Sequence, residues 1–333
     1  MIKSKEHPEI SFGKTGILLI NLGTPDSTSW LDIRKYLKEF LSDRRVIEVN
    51  PLIWQVILNL FILTFRPSKT AHAYKKIWRK DTNESPLLFF TRNQAAKLNE
   101  KMGSKKIIVD FAMRYGNPSI KSRLKKLKEE GCEHMVILPL YPQYAAATTA
   151  TVCDEVYRSL MSMRWQPSLQ IIPHYESEPK YIDALVNSIE NKIKEINWKP
   201  DLIISSYHGI PKSYFDKGDP YQCYCQKTTR LMNEKFNKIE IKTTFQSRFG
   251  PQEWLKPYTD KTLEDLPKQG IKNLLIICPG FASDCVETLE EINIAGRESF
   301  IKSGGENFDL VPCLNDSYQH IDLLQHLIKR YIY

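Results

Sequence analysis

Apolar residues along the chain gather in eight short runs, separated by stretches with helical spacing. The runs are continuous and rich in Ile, Val and Leu, which is typical of strands covered on both faces of a sheet. They lie at residues 17–22, 107–112, 135–140, 169–172, 202–207, 241–246, 274–278 and 308–311. Helical patterns occupy 119–130 and 181–196 between them. This alternation predicts an α/β fold with parallel sheets flanked by helices.

The last four runs repeat the first four in order, which predicts an internal duplication. Phe-Ala-Met-Arg-Tyr-Gly at 111–116 parallels Phe-Gln-Ser-Arg-Phe-Gly at 245–250, and Gly23 and Gly209 each precede a proline-marked turn. The two glycines are farther apart than the two arginine motifs, so the first half holds about 50 additional residues between its first two strands. We predict a chain divided into 1–165 with an insertion at about 40–90, 166–315, and a C-terminal helix at 316–333 that packs back on the first half.

The insertion contains the most apolar stretch of the chain, at residues 52–65. These 14 residues are too few to cross a bilayer, which takes about 20. On a helix Gln55 and Asn59 would form one polar stripe. Composition favours a buried core helix, whereas the basic residues that follow favour a helix lying in a membrane interface or covering an apolar ligand. Both interpretations stay open.

Composition narrows the class of partner. The 333 residues are 42% apolar and carry a net charge of +8, with Lys and Arg spread along the chain. No basic block is interleaved with aromatic residues, so nucleic acid is not an expected partner. The positive balance suits an anionic membrane surface or an acidic small molecule. Seven cysteines without disulfide spacing, and a polar start at 1–8 without a signal peptide, predict a cytoplasmic protein.

Two strand ends in the second half carry the candidate chemistry. His208 follows an apolar strand at a Gly-Ile-Pro turn, and Glu287 and Glu291 follow the loop after another strand. Sites of open α/β sheets form outside the carboxyl ends of strands, where imidazole and carboxylates can bind a metal or move protons. The structural alternatives are a packed histidine and a capping box, in which Glu287 reaches back to Asp284 as the N-cap.

Other signals are weaker or absent. Arg66 and Arg114 could bind carboxylates through their planar guanidinium groups, or form surface ion pairs. Cys223 and Cys225 have no second close pair, so structural or incidental cysteines are expected. The chain has no GxGxxG after a strand and no Walker A, GxSxG or HExxH sequence. Dinucleotide, phosphate and acyl-transfer chemistry are therefore not predicted.

Together these residues resemble the ferrochelatase family, whose members insert Fe²⁺ into a porphyrin to make haem. The resemblance runs from Gly16 to about Pro312 and rests on four motifs. They are Tyr-His-Gly-Ile-Pro at 207–211, Phe-Gln-Ser-Arg at 245–248 with Trp254, Leu-Tyr-Pro-Gln-Tyr at 140–144, and the segment 279–291 that begins Pro-Gly-Phe. The resemblance implies two similar Rossmann-like halves of the chelatase type, with a porphyrin cleft between them and an apolar lip made by the insertion.

The resemblance also implies roles for individual residues. His208 and Glu287 would be the catalytic pair across the porphyrin, and both would bind the metal together with Glu291. Which of the pair is base and which is ligand stays open. Seven further residues match positions that line the cleft or contact the propionates: Leu22, Arg66, Tyr74, Arg114, Tyr115, Ser247 and Trp254. The implied protein is a lyase that inserts Fe²⁺ into protoporphyrin IX, cytoplasmic or peripheral on the inner membrane through residues 52–65.

Two departures from relatives refine this expectation. Ala146 stands where animal members have the mid-chain cysteine of a [2Fe–2S] cluster, and no cysteine follows Cys313, so Fe²⁺ is expected as substrate and no such cluster is expected. Some bacterial relatives use other cysteines, which leaves a cluster at Cys223, Cys225, Cys278 and Cys285 open. Leu22 occupies a position that is typically Tyr in the coproporphyrin-using branch, which favours protoporphyrin IX.

Rival functions remain at this stage. The first is a chelatase of coproporphyrin or of another tetrapyrrole, which could insert cobalt or nickel. The second is a non-catalytic carrier of porphyrin or haem. The third is a binding protein whose glutamate stripe only caps a helix. The long apolar stretch argues against precursors that carry many carboxylates. A carrier has no need for both His208 and Glu287.

Overall fold

Two four-stranded parallel sheets form the framework of the computed structural model, which describes residues 12–332; the polar start at 1–8 lies outside the described residues. The first sheet contains β1 (Lys14–Thr24), β2 (Ile107–Gly116), β3 (Cys132–Pro139) and β4 (Ser168–Ile171). The second contains β5 (Leu202–His208), β6 (Ile241–Gln246), β7 (Asn273–Ile277) and β8 (Asn307–Leu310). Each of the eight apolar runs overlaps one of these strands, which confirms the predicted parallel α/β fold.

The sheets have the same strand order, β2-β1-β3-β4 in the first and β6-β5-β7-β8 in the second. Thr24 pairs with Gly116 at the end of β2 in the first sheet, and His208 pairs with Gln246 at the end of β6 in the second. Both β2 and β6 therefore end beside the central strand of their sheet. The carboxyl ends of β5, β6 and β7 meet at one edge, which brings the candidate residues of the second half together.

Helices cover the sheets, and several begin at a serine whose hydroxyl accepts a backbone N–H. In chain order, the first six are α1 (Trp30–Leu41), α2 (Pro51–Ile57), α3 (Leu63–Ile77), α4 (Pro86–Met102), α5 (Ile120–Glu129) and α6 (Thr151–Met161). The others are α7 (Pro179–Glu195), α8 (Lys212–Asp216), α9 (Tyr221–Lys235), α10 (Thr259–Asp265), α11 (Arg297–Lys302) and α12 (Tyr318–Lys329). Leu58–Ile62, Ala146–Ala150 and Glu287–Gly296 are π-helical, and Leu266–Gln269 is a 3₁₀ turn.

The halves share one apolar core. Leu19 and Leu138 of the first sheet belong to the same buried cluster as Ile203 and Ile277 of the second. The C-terminal helix α12 contacts α4 from the first half and α7 from the second. Ion pairs reinforce both contacts, since Asp322 accepts from Lys180 at 2.5 Å and lies 3.6 Å from Lys101. The strand ends of the two sheets are thus held in a fixed relation.

The insertion between β1 and β2 contains α2, the π-helical turn after it, and α3. We call residues 52–65 the lip. The predicted polar stripe forms, because the Asn59 amide donates to the Gln55 side-chain oxygen at 3.1 Å. The expectation of a buried core helix is wrong, since six large apolar side chains of the lip are more than half exposed: Leu52, Ile53, Val56, Leu60, Phe61 and Phe65. Within residues 12–332, no helix is both long enough and apolar enough to cross a membrane.

Candidate functional site

His208 ends β5 and is half-buried, while the preceding Tyr207 is fully buried in the core. The imidazole Nδ1 lies 2.6 Å from the carbonyl oxygen of Gly209, and the ring centre lies 6.5 Å from that of Trp254. A carbonyl oxygen only accepts hydrogen bonds, so Nδ1 carries the hydrogen in this contact. In the neutral imidazole, Nε2 then keeps a lone pair that can accept a proton or bind a metal.

Glu287 does not serve the capping box that its spacing suggested. Thr288 does so instead: its hydroxyl accepts from the backbone N–H of Cys285 at 3.0 Å and donates to the Asp284 carboxylate at 2.9 Å. The capping interpretation of Glu287 is therefore wrong. Glu287 begins the π-helical segment Glu287–Gly296, and such segments are frequent at functional sites.

The Glu287 side chain lines a pocket whose other walls come mainly from the first half. Leu22 and Gly23 contribute the end of β1, and Tyr36 and Tyr74 contribute phenol rings from α1 and α3. Burial raises the pKa of the Tyr74 hydroxyl, and the neighbouring Glu287 carboxylate raises it further. The pocket is thus a largely apolar wall that faces one carboxylate, with phenols that stay protonated at neutral pH.

The carboxylate of Glu291 is fixed by the residues that follow β6. The Ser247 backbone N–H donates to one oxygen at 2.8 Å, and the Ser247 hydroxyl donates to the other at 2.5 Å. Ser247 has φ of 65°, a left-handed conformation that few residues other than glycine adopt. This turn directs both of its donors toward the π-helical segment.

Glu291 is coupled electrostatically to both other members of the candidate metal set. Burial raises the pKa of the Glu291 carboxyl, the hydrogen bonds from Ser247 and the charge of His208 oppose that rise, and the charge of Glu287 adds to it. These three residues lie near one another, since Gln246, the strand partner of His208, also contacts the Glu287 carbonyl and the Glu291 carboxylate. A carboxyl with a raised pKa beside an imidazole is suited to accept and pass protons near neutral pH.

Arg66 and Trp254 are joined through Phe249. The Arg66 guanidinium carbon lies 4.4 Å from the centre of the Phe249 ring, and the Trp254 indole N–H donates to the Phe249 carbonyl at 2.9 Å. Burial lowers the pKa of Arg66. None of the ion pairs found among residues 12–332 includes Arg66, so its charge is available to an anion.

Arg114 and Tyr115 lie in a separate cluster around Asp43. The Arg114 guanidinium and the Tyr115 hydroxyl both donate to Asp43 Oδ2, at 2.5 and 2.9 Å, and Arg114 Nε donates to the Thr151 hydroxyl at 2.7 Å. The side chains of Arg114 and Asp43 are only 9% and 10% exposed. This guanidinium is thus largely committed to a buried ion pair, in contrast to that of Arg66.

Several cysteines fall into two groups, one on α9 and one that brings Cys278, Cys285 and Cys313 near one another. Cys223 is exposed whereas Cys225, two residues later on α9, is buried. Cys278 and Cys285 are buried, and burial raises the pKa of both thiols. Among residues 12–332, no group of three or more His, Cys, Asp or Glu side chains is arranged to hold a metal ion. This also applies to His208, Glu287 and Glu291.

Sequence reasoning missed several residues that shape the site. Asp43 and Tyr36 belonged to no motif and were not singled out, and Phe249 was noted only as part of the repeated motif at 245–250. Gln246 belonged to a motif but was not named as a site residue, although its side chain contacts both the Glu287 carbonyl and the Glu291 carboxylate. A glutamine at the end of an apolar strand was the available signal.

Comparison with known proteins bears on this geometry. The sequence model of the family described as Ferrochelatase matches residues 14–332. A ferrochelatase of Rhizobium meliloti is 54% identical, over 99% of this chain and 98% of the relative. A ferrochelatase of Francisella tularensis subsp. holarctica is 52% identical, over 96% of this chain and 97% of the relative.

The chain belongs to the ferrochelatase family. Its activity is the insertion of iron into a porphyrin for haem synthesis, a lyase-class reaction. The resemblance inferred from the motifs is thereby confirmed. The residue roles within that reaction rest on the geometry above.

Solved chelatases share the fold at low sequence identity. SirB from Bacillus subtilis, solved with Fe³⁺, has a TM-score of 0.57 and 12% identity, over 95% of both chains. CbiX, the terminal enzyme of sirohaem biosynthesis in denitrifying bacteria, has a TM-score of 0.52 and 13% identity, over 96% of this chain and all of its own. These likenesses confirm two Rossmann-like halves of the chelatase type.

Proposed function

We propose that His208 and Glu287, with Glu291, carry out the insertion of Fe²⁺ into protoporphyrin IX. The observation that carries this proposal is the proximity of three complementary groups. His208 has its Nδ1 hydrogen directed at a carbonyl, which leaves the Nε2 lone pair free. The raised pKa of Glu291 reflects a buried carboxyl beside both His208 and Glu287.

The chemistry requires such a set. A porphyrin carries two pyrrole protons at its centre, and both must leave as the metal enters. Imidazole and carboxylate accept protons near neutral pH and are also suitable ligands for iron. His208 and Glu287 would together bind Fe²⁺ and take up the protons, and Glu291 would pass protons onward. The planar ring must also bend, and that strain is offset by binding energy from the rest of the macrocycle.

The remaining residues of the set bind the macrocycle in this proposal. Arg66 has a partly buried charge that takes part in no ion pair among the described residues, which supports a propionate contact. Leu22 and Tyr74 form the wall opposite Glu287. Ser247 donates to Glu291 and Trp254 lies beside His208, while Tyr115 belongs to the same apolar cluster as Tyr36 and Tyr74 of the wall. Arg114 is paired with Asp43, so a propionate would have to bind the Arg114 guanidinium while that ion pair is kept.

Protoporphyrin IX is the porphyrin we propose. The wall beside Glu287 includes Leu22, an apolar side chain that suits the less charged macrocycle. Coproporphyrin carries additional carboxylates and is the alternative that the same cleft could accept. Fe²⁺ enters as substrate, and we propose no resident [2Fe–2S] cluster of the animal type, since Ala146 stands where the animal members of the family have the mid-chain cysteine.

The lip supports a second part of the proposal, a peripheral contact with the surface of the inner membrane. Residues 52–65 contain no charged side chain, and six of their large apolar side chains are exposed. Lys69 and Lys75 follow on the same helical unit and suit anionic headgroups, whereas Lys76 pairs with Glu290 at 2.8 Å. A water-insoluble porphyrin could then enter the cleft from the bilayer side.

Anaerobic metal insertion tests the proposed roles. Purified protein is mixed with protoporphyrin IX and Fe²⁺, or Zn²⁺ as a stable surrogate, and the porphyrin absorption bands are followed beside His208→Ala. Turnover that is lost in the variant supports His208 in the reaction path. Faster turnover of coproporphyrin would correct the substrate. Porphyrin binding without turnover in the unsubstituted protein would favour a carrier.

A further inference from the structure

We propose that Gln246 is a positioning residue, which fixes the positions of Glu287 and Glu291 relative to His208. The proposal rests on the proposed function. Gln246 ends β6 and pairs with His208 across the sheet. Its side chain is buried, at 3% exposed, so it acts through other groups and does not touch the porphyrin.

The amide nitrogen of Gln246 links β6 to the π-helical segment. It donates to the Glu287 carbonyl oxygen at 2.9 Å and lies 3.4 Å from the Glu291 carboxylate. A carbonyl oxygen and a carboxylate only accept, so Nε2 must face them and Oε1 must face the other way. Glu287 and Glu291 are therefore tied to one donor group.

The other side of Gln246 is tied to the strand that carries His208. Its Oε1 accepts from the Ser206 hydroxyl at 2.7 Å, and its backbone carbonyl accepts from the Gly209 N–H at 2.8 Å. The Ser206 hydroxyl lies 2.9 Å from that of Thr259, and both side chains are fully buried. A satisfied buried network of this kind specifies a single arrangement of the groups that it joins.

The duplication shows that the sheet does not require this glutamine. Ala112 holds the corresponding position in the first half, after the phenylalanine of the shared motif, and it is fully buried. Ala112 pairs with Ile20 and Gln246 pairs with His208, so the register of the two sheets differs by two residues at this point. The buried amide thus occurs in the half that carries the acids, at a position where its counterpart is apolar.

Substitution by methionine, which has a similar volume, removes the amide and keeps the packing. We expect Gln246→Met to lower kcat by about 10- to 100-fold, the usual effect of losing a group that orients metal or proton ligands. The KM for protoporphyrin IX should change less than about threefold, because Gln246 lies behind the acids and outside the cleft. Zinc insertion at saturating porphyrin supplies both constants.

Gln143→Met is the matched control. Gln143 is equally buried, and its amide donates to the Thr228 hydroxyl at 3.0 Å, with none of its hydrogen bonds reaching His208, Glu287 or Glu291. Both variants should lose similar thermal stability, and only Gln246→Met should lose kcat. Equal kcat values for the two variants would overturn the proposal, as would a loss confined to KM.

A crystal structure of Gln246→Met tests the role without turnover. The proposal expects the Glu291 carboxylate and the Glu287 turn to move relative to His208. Unchanged positions would overturn it, whatever the activity. An unsubstituted protein that fails to insert metal would overturn the proposed function instead, so the two failures are distinguishable.

Discussion

The guanidinium carbon of Arg66 lies 4.4 Å from the centre of the Phe249 ring. This contact joins the helical unit of the lip, from the first half, to the loop after β6 in the second half. The Phe249 carbonyl accepts a hydrogen bond from the indole N–H of Trp254, and the Trp254 ring lies beside His208. One face of the Arg66 guanidinium thus rests on an aromatic ring, and this arrangement supports the proposed contact between Arg66 and a ligand anion.

We expect Arg66→Met to raise the KM for protoporphyrin IX and leave kcat nearly unchanged. A hydrogen bond to a charged group contributes about 1.5–3 kcal/mol, which corresponds to roughly 10- to 100-fold in KM. Steady-state zinc insertion measures both constants. Arg248→Met is the matched control, because Arg248 also stacks on an aromatic ring, at 4.5 Å from Tyr258, yet pairs with Asp260 at the surface. Equal KM values for the two variants would exclude a propionate contact of Arg66.

Glu287 and its neighbour Thr288 should separate catalysis from stability. Because Thr288 fills the cap, Glu287→Gln should leave the melting temperature nearly unchanged and lower kcat by at least about 100-fold, as expected for loss of a proton-transfer group. Thr288→Val should cost about 1–2 kcal/mol of stability, since it removes hydrogen bonds to Cys285 and Asp284. Thermal melts and zinc insertion on both variants make the comparison.

Glu287→Gln with normal turnover would remove Glu287 from the reaction. A large drop in its melting temperature would return Glu287 to a structural role. Thr288→Asn is a useful companion, because asparagine retains polar groups that can restore part of the cap.

Arg114 should act mainly on stability. Breaking a buried ion pair by removing one partner costs about 3–5 kcal/mol, so we expect Arg114→Met to lower the free energy of unfolding by that order. The double substitution Arg114→Met with Asp43→Asn should recover part of the loss, because it leaves no unpaired charge. Urea unfolding of Arg114→Met, Asp43→Asn and the double variant gives the coupling energy. If Arg114 only binds propionate, the single substitution would raise KM without changing the unfolding curve.

Asp43 should make stability depend on acid pH. Burial alone would raise the pKa of this carboxyl, but hydrogen bonds from Thr151 and Arg45 and the charge of Arg114 hold the pKa below 3.8. A lowered folded-state pKa gives stability that is fully present above 3.8 and is lost as the pH falls through the folded value. Asp43→Asn should therefore be less stable than the unsubstituted protein at pH 7, and the gap should narrow below pH 3.8. A gap that stays constant across that range would show that Asp43 remains charged or contributes nothing electrostatic.

Much of the fold could be predicted because the central strands β1, β3, β5 and β7 are buried on both faces and form continuous apolar runs. The duplication was visible because Arg114 and Arg248 recur in one motif. Contacts between distant segments could not be predicted, since nothing local to Asp43 reveals that it meets Arg114 across 71 residues. The π-helical form of Glu287–Gly296 was also hidden, because four-residue spacing of glutamates fits an ordinary helix equally well. The sequence left two interpretations of the lip open, since the composition of an apolar stretch does not show what covers it.

The exposed lip predicts measurable binding to lipid. Phe61 and Phe65 are 58% and 72% exposed, and burying a phenylalanine is worth about 1.5–3 kcal/mol. We expect Phe61→Glu with Phe65→Glu to weaken binding to vesicles of phosphatidylglycerol and phosphatidylethanolamine by at least about tenfold, as measured by co-sedimentation. The melting temperature should stay nearly unchanged, because neither side chain belongs to the buried core.

Met161→Glu provides the control for a general effect of added charge. Met161 is 79% exposed on α6, outside the lip, and its replacement should leave vesicle binding nearly unchanged. Raising the salt concentration should weaken binding of the unsubstituted protein in part, because the basic residues after the lip attract anionic headgroups and the apolar contact does not depend on salt. Equal vesicle binding by the lip variant and the Met161 variant would show that the exposed apolar side chains of the lip do not bind lipid, and would leave porphyrin binding as their role. In that case the lip substitutions should raise the KM for protoporphyrin IX in detergent solution, where no bilayer is present.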